Sequence, residues 1–141
     1  MKKLTFLLFM FSFVCSVAQK DKAGTGLVLI NMKAQEIAWN KGDIPGFMAH
    51  YWKSDSLKFI GSKGITYGWQ KTLDNYIKNY PDKKAMGVLT FSIIESTQLS
   101  ENSVYIIGKW DLQKEKNAGG YFTLLWKKIN NNWVIVTDHT S

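Results

Sequence analysis

The spacing of apolar residues changes once along this chain, near Met86. Before that point apolar residues recur every three or four positions, and after it they alternate in long segments separated by short polar ones. A spacing near 3.6 predicts helices, and a period of two predicts strands. Helices followed by a run of strands predict an α+β fold, in which the helices pack on one face of a curved antiparallel sheet.

Three helices are predicted before the change of period. The first runs from Leu27 to about Asn40, the second from Ile44 to about Tyr51 after the N-cap Asp43, and the third ends where Pro81 forbids continuation. A small hairpin over residues 56–67 precedes the third helix. The spacing of the first helix predicts that its core-facing residues are Leu27, Ile30, Ala34, Ile37 and Ala38.

Four strands are predicted over residues 88–98, 103–113, 120–129 and 133–140, each joined to the next by turn residues. Alternation places Val104, Ile106, Gly108 and Trp110 on the face toward the helices. A glycine there either bends the sheet or leaves space for a ligand. On the last strand, strict alternation puts His139 on the face of Trp133, Ile135 and Thr137, and Asp138 on the opposite face with Val134 and Val136.

The first eighteen residues have the pattern of a secretory signal peptide. Two lysines precede an apolar stretch from Leu4 to Val17, and small residues end at Ala18. The stretch is shorter than the roughly 20 residues of a membrane span, so cleavage is favoured over a retained anchor. Residues 1–18 are therefore predicted as signal peptide, 19–26 as a flexible lead-in and 27–141 as the domain, exported to the periplasm or secreted.

Composition excludes several classes of function. The net charge is +7, yet every basic residue is a lysine and the lysines are scattered, which disfavours nucleic-acid binding. The single cysteine, Cys15, lies in the predicted signal peptide, and Val14 before it disfavours lipidation. Cleavage removes it, and with it disulfides and zinc–thiolate sites. The two histidines, His50 and His139, are far apart, so no metal or other cofactor is predicted.

Five segments together resemble a known family. They are Ala38–Asp43, Tyr51–Asp55, Gly108–Trp110, Gly120–Phe122 and Trp133–Ser141. With the order of helices, hairpin and strands, they resemble the SnoaL-like and ketosteroid-isomerase-like branch of the nuclear transport factor 2-like superfamily, in particular its uncharacterised exported bacterial members. The resemblance covers the whole predicted domain. It implies a cone-shaped sheet with helices on its concave face, a pocket between them, and often a homodimer.

The candidate site follows from that implied pocket. His139 is the predicted catalytic residue, because an imidazole there would suit proton transfer near neutral pH. The alternative is a histidine that only hydrogen-bonds a neighbouring element. The predicted ligand-binding residues are aromatic: Tyr51, Trp52, Phe59, Tyr67 and Trp110. They favour a flat, mostly apolar organic ligand.

In ketosteroid isomerases of this fold a pocket Asp abstracts a proton while hydroxyl groups hold the oxyanion. The carboxylates nearest the predicted pocket are Asp55 and Asp111, and alternation turns Asp111 away from Trp110, so that pattern does not transfer. The first hypothesis is a small-molecule-binding domain with an isomerase- or dehydratase-like activity. The second is a non-catalytic dimerising module with a filled interior and an apolar sheet face. The residues leave open whether the protein is an enzyme.

Overall fold

The computed structural model describes residues 7–141, with side chains described from residue 23 onward. The helices are α1 (Leu7–Lys41), α2 (Ile44–Met48), α3 (Trp69–Asn79) and α4 (Lys83–Met86). The strands are β1 (Lys58–Gly61), β2 (Gly64–Tyr67), β3 (Val88–Ser100), β4 (Ser103–Gln113), β5 (Ala118–Ile129) and β6 (Asn132–Thr140). No helix in this described part is both long and apolar enough to cross a bilayer.

The predicted α+β fold is confirmed. A single curved and unclosed sheet has the strand order β2-β1-β6-β5-β4-β3, and the N-terminal helices pack on it. The hairpin β1–β2 joins this sheet because β1 pairs in parallel with β6, so the first and last strands of the chain are neighbours. The turn between β5 and β6 has the left-handed backbone of a tight hairpin, with φ of 48° at Asn130 and 64° at Asn131.

The predicted core face of α1 is wrong except at Ala38, which is partly buried against the core. Leu27 and Ile30 are half or more exposed and Ile37 nearly so, whereas the buried residues are Val28, Met32, Gln35 and Trp39. Both sets fit helical spacing. The predicted set contains only apolar residues, whereas the buried set includes a glutamine. The buried face therefore does not have the unbroken apolar spacing by which a core-facing stripe is recognised.

Helix α1 begins earlier along the chain than its apolar spacing predicts. It includes residues 23–26, which belong to the predicted lead-in. The predicted signal peptide, residues 1–18, lies outside the residues whose side chains are described. The division of the chain at residues 18 and 26, and its export, stay predictions.

Helix α1 also covers the free edge of the sheet. The Asn40 side chain accepts a hydrogen bond from the Leu89 amide at 2.7 Å and donates one to the Leu89 carbonyl at 2.9 Å. The Glu36 carboxylate accepts from the Phe91 amide at 2.8 Å. Edge strands expose unpaired backbone groups that invite aggregation, and these contacts satisfy several of them on β3.

Helix α2 ends three residues earlier than predicted, at Met48. Asp43 caps its start as expected, accepting from the Gly46 amide at 2.8 Å. The chain then turns extended, and Tyr51 forms a parallel bridge with Ile135 of β6. Neighbouring side chains of an extended segment point to opposite sides, which places Tyr51 in the core and turns Trp52 away from it.

The corrected orientation of α1 is tested by alanine substitutions on its two faces. Met32→Ala is expected to lower the free energy of unfolding by about 2–5 kcal/mol, because Met32 is 2% exposed and its removal leaves a cavity. Ile30→Ala, at a position 65% exposed, is the matched control and should change it by less than about 0.5 kcal/mol. Urea unfolding followed by circular dichroism measures both. A larger loss for Ile30→Ala would contradict this orientation.

Candidate functional site

A cavity of about 400 Å³ lies between the helices and the sheet. Its deep part is formed by buried residues from both layers: Gln35, Trp39, Phe47, Tyr51, Leu124 and Asp138. Its mouth has exposed polar residues from the β1–β2 turn and from α3: Ser62, Lys63, Asn75 and Asn79. The interior is therefore hollow, and its wall is mostly aromatic and aliphatic.

Two glycine–aromatic pairs shape the sheet wall of the cavity. Gly108 of β4 lies opposite Phe122 of β5, and Trp110 of β4 lies opposite Gly120 of β5. A Cβ atom on Gly108 would lie 2.3 Å from Cζ of Phe122, so only glycine lets that ring lie across the neighbouring strand. Gly108 faces the helices as predicted, and the space it leaves is filled by an aromatic ring that lines the cavity.

A β-bulge in β6 decides which terminal side chain enters the cavity. The pairing of β5 with β6 runs Trp126 with Ile135 and then Leu125 with Thr137, so Val136 is an extra residue without a partner. One extra residue reverses the alternation beyond it. Asp138 consequently lies on the same face as Trp133 and Ile135, opposite Leu124, and is 4% exposed.

The predicted position of His139 is wrong for the same reason. Its side chain lies on the outer face of the sheet, in one row with Thr123 and Ile107, and it is exposed. It is not among the residues that line the cavity. Strict alternation from Trp133 would have been correct for a regular strand, but the bulge exchanges the positions of Asp138 and His139.

Among residues 23–141, Asp138 is the buried carboxyl group of the cavity. Its Oδ2 accepts a hydrogen bond from the Tyr51 hydroxyl at 2.6 Å, while its Oδ1 is buried and has no hydrogen-bond partner in that part of the chain. Burial raises the pKa of Asp138 from 3.8 to about 7, and the hydrogen bond from Tyr51 lowers it in part. Its carboxyl group thus exchanges a proton near neutral pH.

Two tyrosine hydroxyls accompany this carboxyl group. Burial raises the pKa of Tyr51 and that of Tyr76 well above their usual value, and the negative charge of Asp138 raises both further. Both hydroxyls therefore stay protonated; that of Tyr51 donates to Asp138, and that of Tyr76 keeps a proton to donate. The Tyr76 ring is held by edge-on contacts with Phe47 at 5.4 Å and Phe59 at 5.7 Å between centroids.

The cavity brings together three of the five predicted ligand-binding residues, namely Tyr51, Phe59 and Trp110. Trp52 does not line it, because the extended backbone turns this residue away from Tyr51. Tyr67 does not line it either and is 57% exposed. Phe59 pairs with Thr66 and shares its face, so Tyr67, the next residue along β2, points to the opposite side.

Several residues that line the cavity were not predicted from the sequence, and two carboxylates considered for the site lie elsewhere. Asp55 and Asp111, considered as carboxylates, do not line the cavity, and Asp111 forms an ion pair with Lys109 at 3.0 Å on the outer face. The cavity instead uses Asp138, Gln35 and the aromatic pair Trp39 and Phe47. The sequence signal for Asp138 is the unbroken apolar run Trp133–Val136. This run departs from the alternation of a regular strand and so is compatible with a bulge, but it does not indicate at which residue the bulge lies.

Comparisons with known proteins agree with this architecture. An NTF-2-like protein of unknown function from Shewanella oneidensis MR-1 is 42% identical, with a TM-score of 0.78 over 81% of this chain and 95% of that one. An NTF2-like protein of unknown function from Pseudomonas putida KT2440 is 14% identical, with a TM-score of 0.69 over 85% and 87% of the two chains. A ketosteroid isomerase-like protein from Erwinia carotovora atroseptica is 17% identical, with a TM-score of 0.64 over 82% and 93%. At these low identities, the last two proteins show only that their fold is the same as that of this chain. No family model and no curated protein matches the sequence.

The titration of Asp138 predicts how stability depends on pH. Its pKa is about 7 in the folded protein, above the 3.8 of the unfolded chain, so the folded state holds a proton that the unfolded state has lost between those values. The free energy of unfolding should fall as pH rises from about 4 to about 7 and stay low above it. The full loss is about 4 kcal/mol, at about 1.4 kcal/mol per pKa unit.

Asp138→Asn isolates this effect because an amide does not titrate. The variant should be more stable than the wild type at pH 8, and the difference should vanish toward pH 4, as measured by urea unfolding across that range. The same exchange on the outer face, Asp111→Asn, serves as the control and should leave the pH dependence between 4 and 8 unchanged. A pH-independent difference for Asp138→Asn would show that this carboxyl group does not titrate there.

Proposed function

This chain belongs to the NTF-2-like family, and from that premise we propose that it binds a small apolar or aromatic molecule in its cavity and catalyses a proton transfer on it. The observation that supports this proposal is Asp138, a buried carboxyl group with a pKa of about 7 and one oxygen without a partner at a cavity wall. Structural carboxylates are normally paired, and perturbed ionisable groups in cavities concentrate at functional sites.

In the proposed reaction the two oxygens of Asp138 have separate roles. The hydrogen bond from Tyr51 holds Oδ2 and fixes the plane of the carboxyl group. Oδ1 is buried and has no hydrogen-bond partner among residues 23–141, and it is the oxygen proposed to take a proton from a carbon acid. A base with a pKa near the working pH does this efficiently. Tyr51 is a positioning residue in this scheme. Tyr76, whose hydroxyl stays protonated, is the candidate donor to an oxyanion that forms on the ligand.

The size and lining of the cavity favour a ligand of one or two fused rings. Its volume of about 400 Å³ lies in the range of small-molecule sites, and rings from Trp39, Phe91, Trp110 and Phe122 form much of its wall. The cavity favours this proposal over the interaction-module hypothesis, which predicted a filled interior. The proposed substrate is therefore a cyclic carbonyl compound with an acidic C–H bond. Isomerases and dehydratases act on substrates of this kind.

The homodimer is a second proposal and rests on the outer face of the sheet. Tyr105 and Leu125 lie side by side across β4 and β5, and Ile107 is two residues further along β4, all only half-buried. Tyr121 on the same face is 59% exposed. Thr123 separates Tyr121 from Leu125 along β5, so the proposal rests on the other three apolar side chains, because exposed apolar patches mark interfaces. His139 lies beside Thr123.

Exchange of acidic protons in a generic probe tests the catalytic proposal. The wild type should accelerate exchange of the C1 protons of 2-tetralone into D₂O, followed by proton NMR, and the rate should rise with pH to a plateau above about 7, because the base is the ionised form of Asp138. Asp138→Asn should lower the catalysed rate by about 10²–10⁴-fold. Tyr51→Phe should lower the rate less. It should also move the pH profile to higher pH, because the hydrogen bond that lowers the pKa of Asp138 is removed.

His139→Ala is the control for the sequence-based assignment, since His139 lies outside the cavity. It should retain the wild-type exchange rate. Loss of exchange in His139→Ala together with retention in Asp138→Asn would reverse the two assignments. Binding of 2-tetralone, measured by tryptophan fluorescence, separates a catalytic defect from failure to bind, since Asp138→Asn should still bind the ketone.

The proposed dimer is tested by two separate variants. One introduces a negative charge on the outer face of the sheet, and the other introduces one on the exposed face of α1. Leu125→Glu, at the centre of the outer sheet face, should convert the protein from dimer to monomer in light scattering coupled to size-exclusion chromatography. Ile30→Glu, on the exposed face of α1 at 65% exposure, is the matched control and should leave the dimer intact. The reverse result would place the interface on the helix, and a monomeric wild type would refute the proposal.

A further inference from the structure

The deep part of the cavity contains a second buried polar side chain, Gln35 of α1. It is 1% exposed, lines the cavity, and occupies the core stripe of the helix between Met32 and Trp39. Burying an amide costs free energy unless both of its ends are hydrogen-bonded, so apolar residues normally fill such positions. The proposal below rests on the proposed ligand-binding function and concerns which ligands are accepted.

One contact fixes the orientation of the Gln35 amide. Its Nε2 donates to the backbone carbonyl of Phe47 at 3.1 Å. A carbonyl oxygen only accepts, so the amide nitrogen must be the end that faces Phe47. The carbonyl oxygen Oε1 therefore points the other way, and no donor from residues 23–141 reaches it.

The neighbouring polar groups do not supply that donor. The Tyr51 hydroxyl donates to Asp138, and the Thr72 hydroxyl, also buried at the cavity, donates to the Gly68 carbonyl at 2.8 Å. Asp138 itself offers only acceptor oxygens once it is ionised. Among residues 23–141, two acceptor oxygens at the deep end of the cavity thus receive no hydrogen bond, Gln35 Oε1 in the helix layer and Asp138 Oδ1 in the sheet layer. The Tyr76 hydroxyl, the remaining donor at this end of the cavity, donates to neither of them.

We propose that Gln35 is a specificity-determining residue, and that the ligand is a ring compound bearing a hydroxyl or N–H group that donates to Gln35 Oε1. A site built to accept a hydrogen bond rejects an analogue without the donor, because the buried acceptor is then left unpaired. For the reaction proposed above, the substrate class narrows to cyclic carbonyl compounds with a hydroxyl or N–H group on the part of the ring system that meets α1.

Indole and benzofuran form a matched pair of probes for this proposal. They have the same shape, and indole has an N–H donor where benzofuran has an ether oxygen. Isothermal titration should show that the wild type binds indole about ten- to a hundredfold more tightly than benzofuran. In Gln35→Met, which keeps the length of the side chain and removes the acceptor, the two affinities should become equal. Gln35→Leu repeats the test if the first variant folds poorly.

Two further variants test whether the preference for indole over benzofuran comes from Gln35. Phe59→Leu removes an aromatic wall residue and should weaken both probes while keeping the ratio. Asp138→Asn should also keep the ratio, because its oxygen is a separate acceptor. An unchanged ratio in Gln35→Met, or a ratio lost only in Asp138→Asn, overturns the assignment to Gln35 while ligand binding stands. Failure of the wild type to bind either compound overturns the ligand-binding function and this inference with it.

Discussion

The extra residue in β6 is the constraint on which the candidate site depends. Because Val136 has no partner on β5, the strand alternates in one register before it and in the other after it. Trp133 and Ile135 join the core through the first register, and Asp138 enters the cavity through the second. The strand β1 then pairs with this second part, with Phe59 beside Asp138, so both residues face the cavity. Without the bulge a neutral or cationic imidazole would take the place of the carboxyl group, and the Tyr51 hydrogen bond could not form.

The hollow interior has an equally local cause. Each of two aromatic rings on the central strands lies opposite a glycine on the neighbouring strand, so Phe122 and Trp110 lie along the sheet rather than filling the space beneath the helices. The remaining volume is bounded by rings from α1, α2 and α3 that pack edge-on against each other, with Trp39 and Phe47 at 5.2 Å between centroids. A rigid aromatic wall around a few fixed polar groups is the arrangement that ligand sites require.

Two of the sequence predictions that failed concern the two polar groups deep in the cavity. Gln35 interrupts the buried stripe of α1, so the apolar spacing of the helix points to the exposed stripe instead. Asp138 follows a bulge, so strict alternation placed His139 in its position. Functional sites are where local sequence rules are expected to fail, because a buried polar group is unfavourable for stability and is retained for another reason. By contrast, Val104, Ile106 and the caps and turns that involve only local physics were predicted correctly.

The sequence by itself determined the fold class, the approximate positions of the three main helices and six strands, and the aromatic character of the interior. These features follow from periodicity, caps and turn residues, which act over a few neighbouring positions. It also identified Tyr51, Phe59 and Trp110 as residues of the cavity. Only the tertiary structure decided which carboxyl group is buried, that His139 faces outward, and how the Gln35 amide is oriented. Each of these depends on a partner distant in the chain, namely Tyr51 for Asp138, the unequal pairing with β5 for His139, and the Phe47 carbonyl for Gln35.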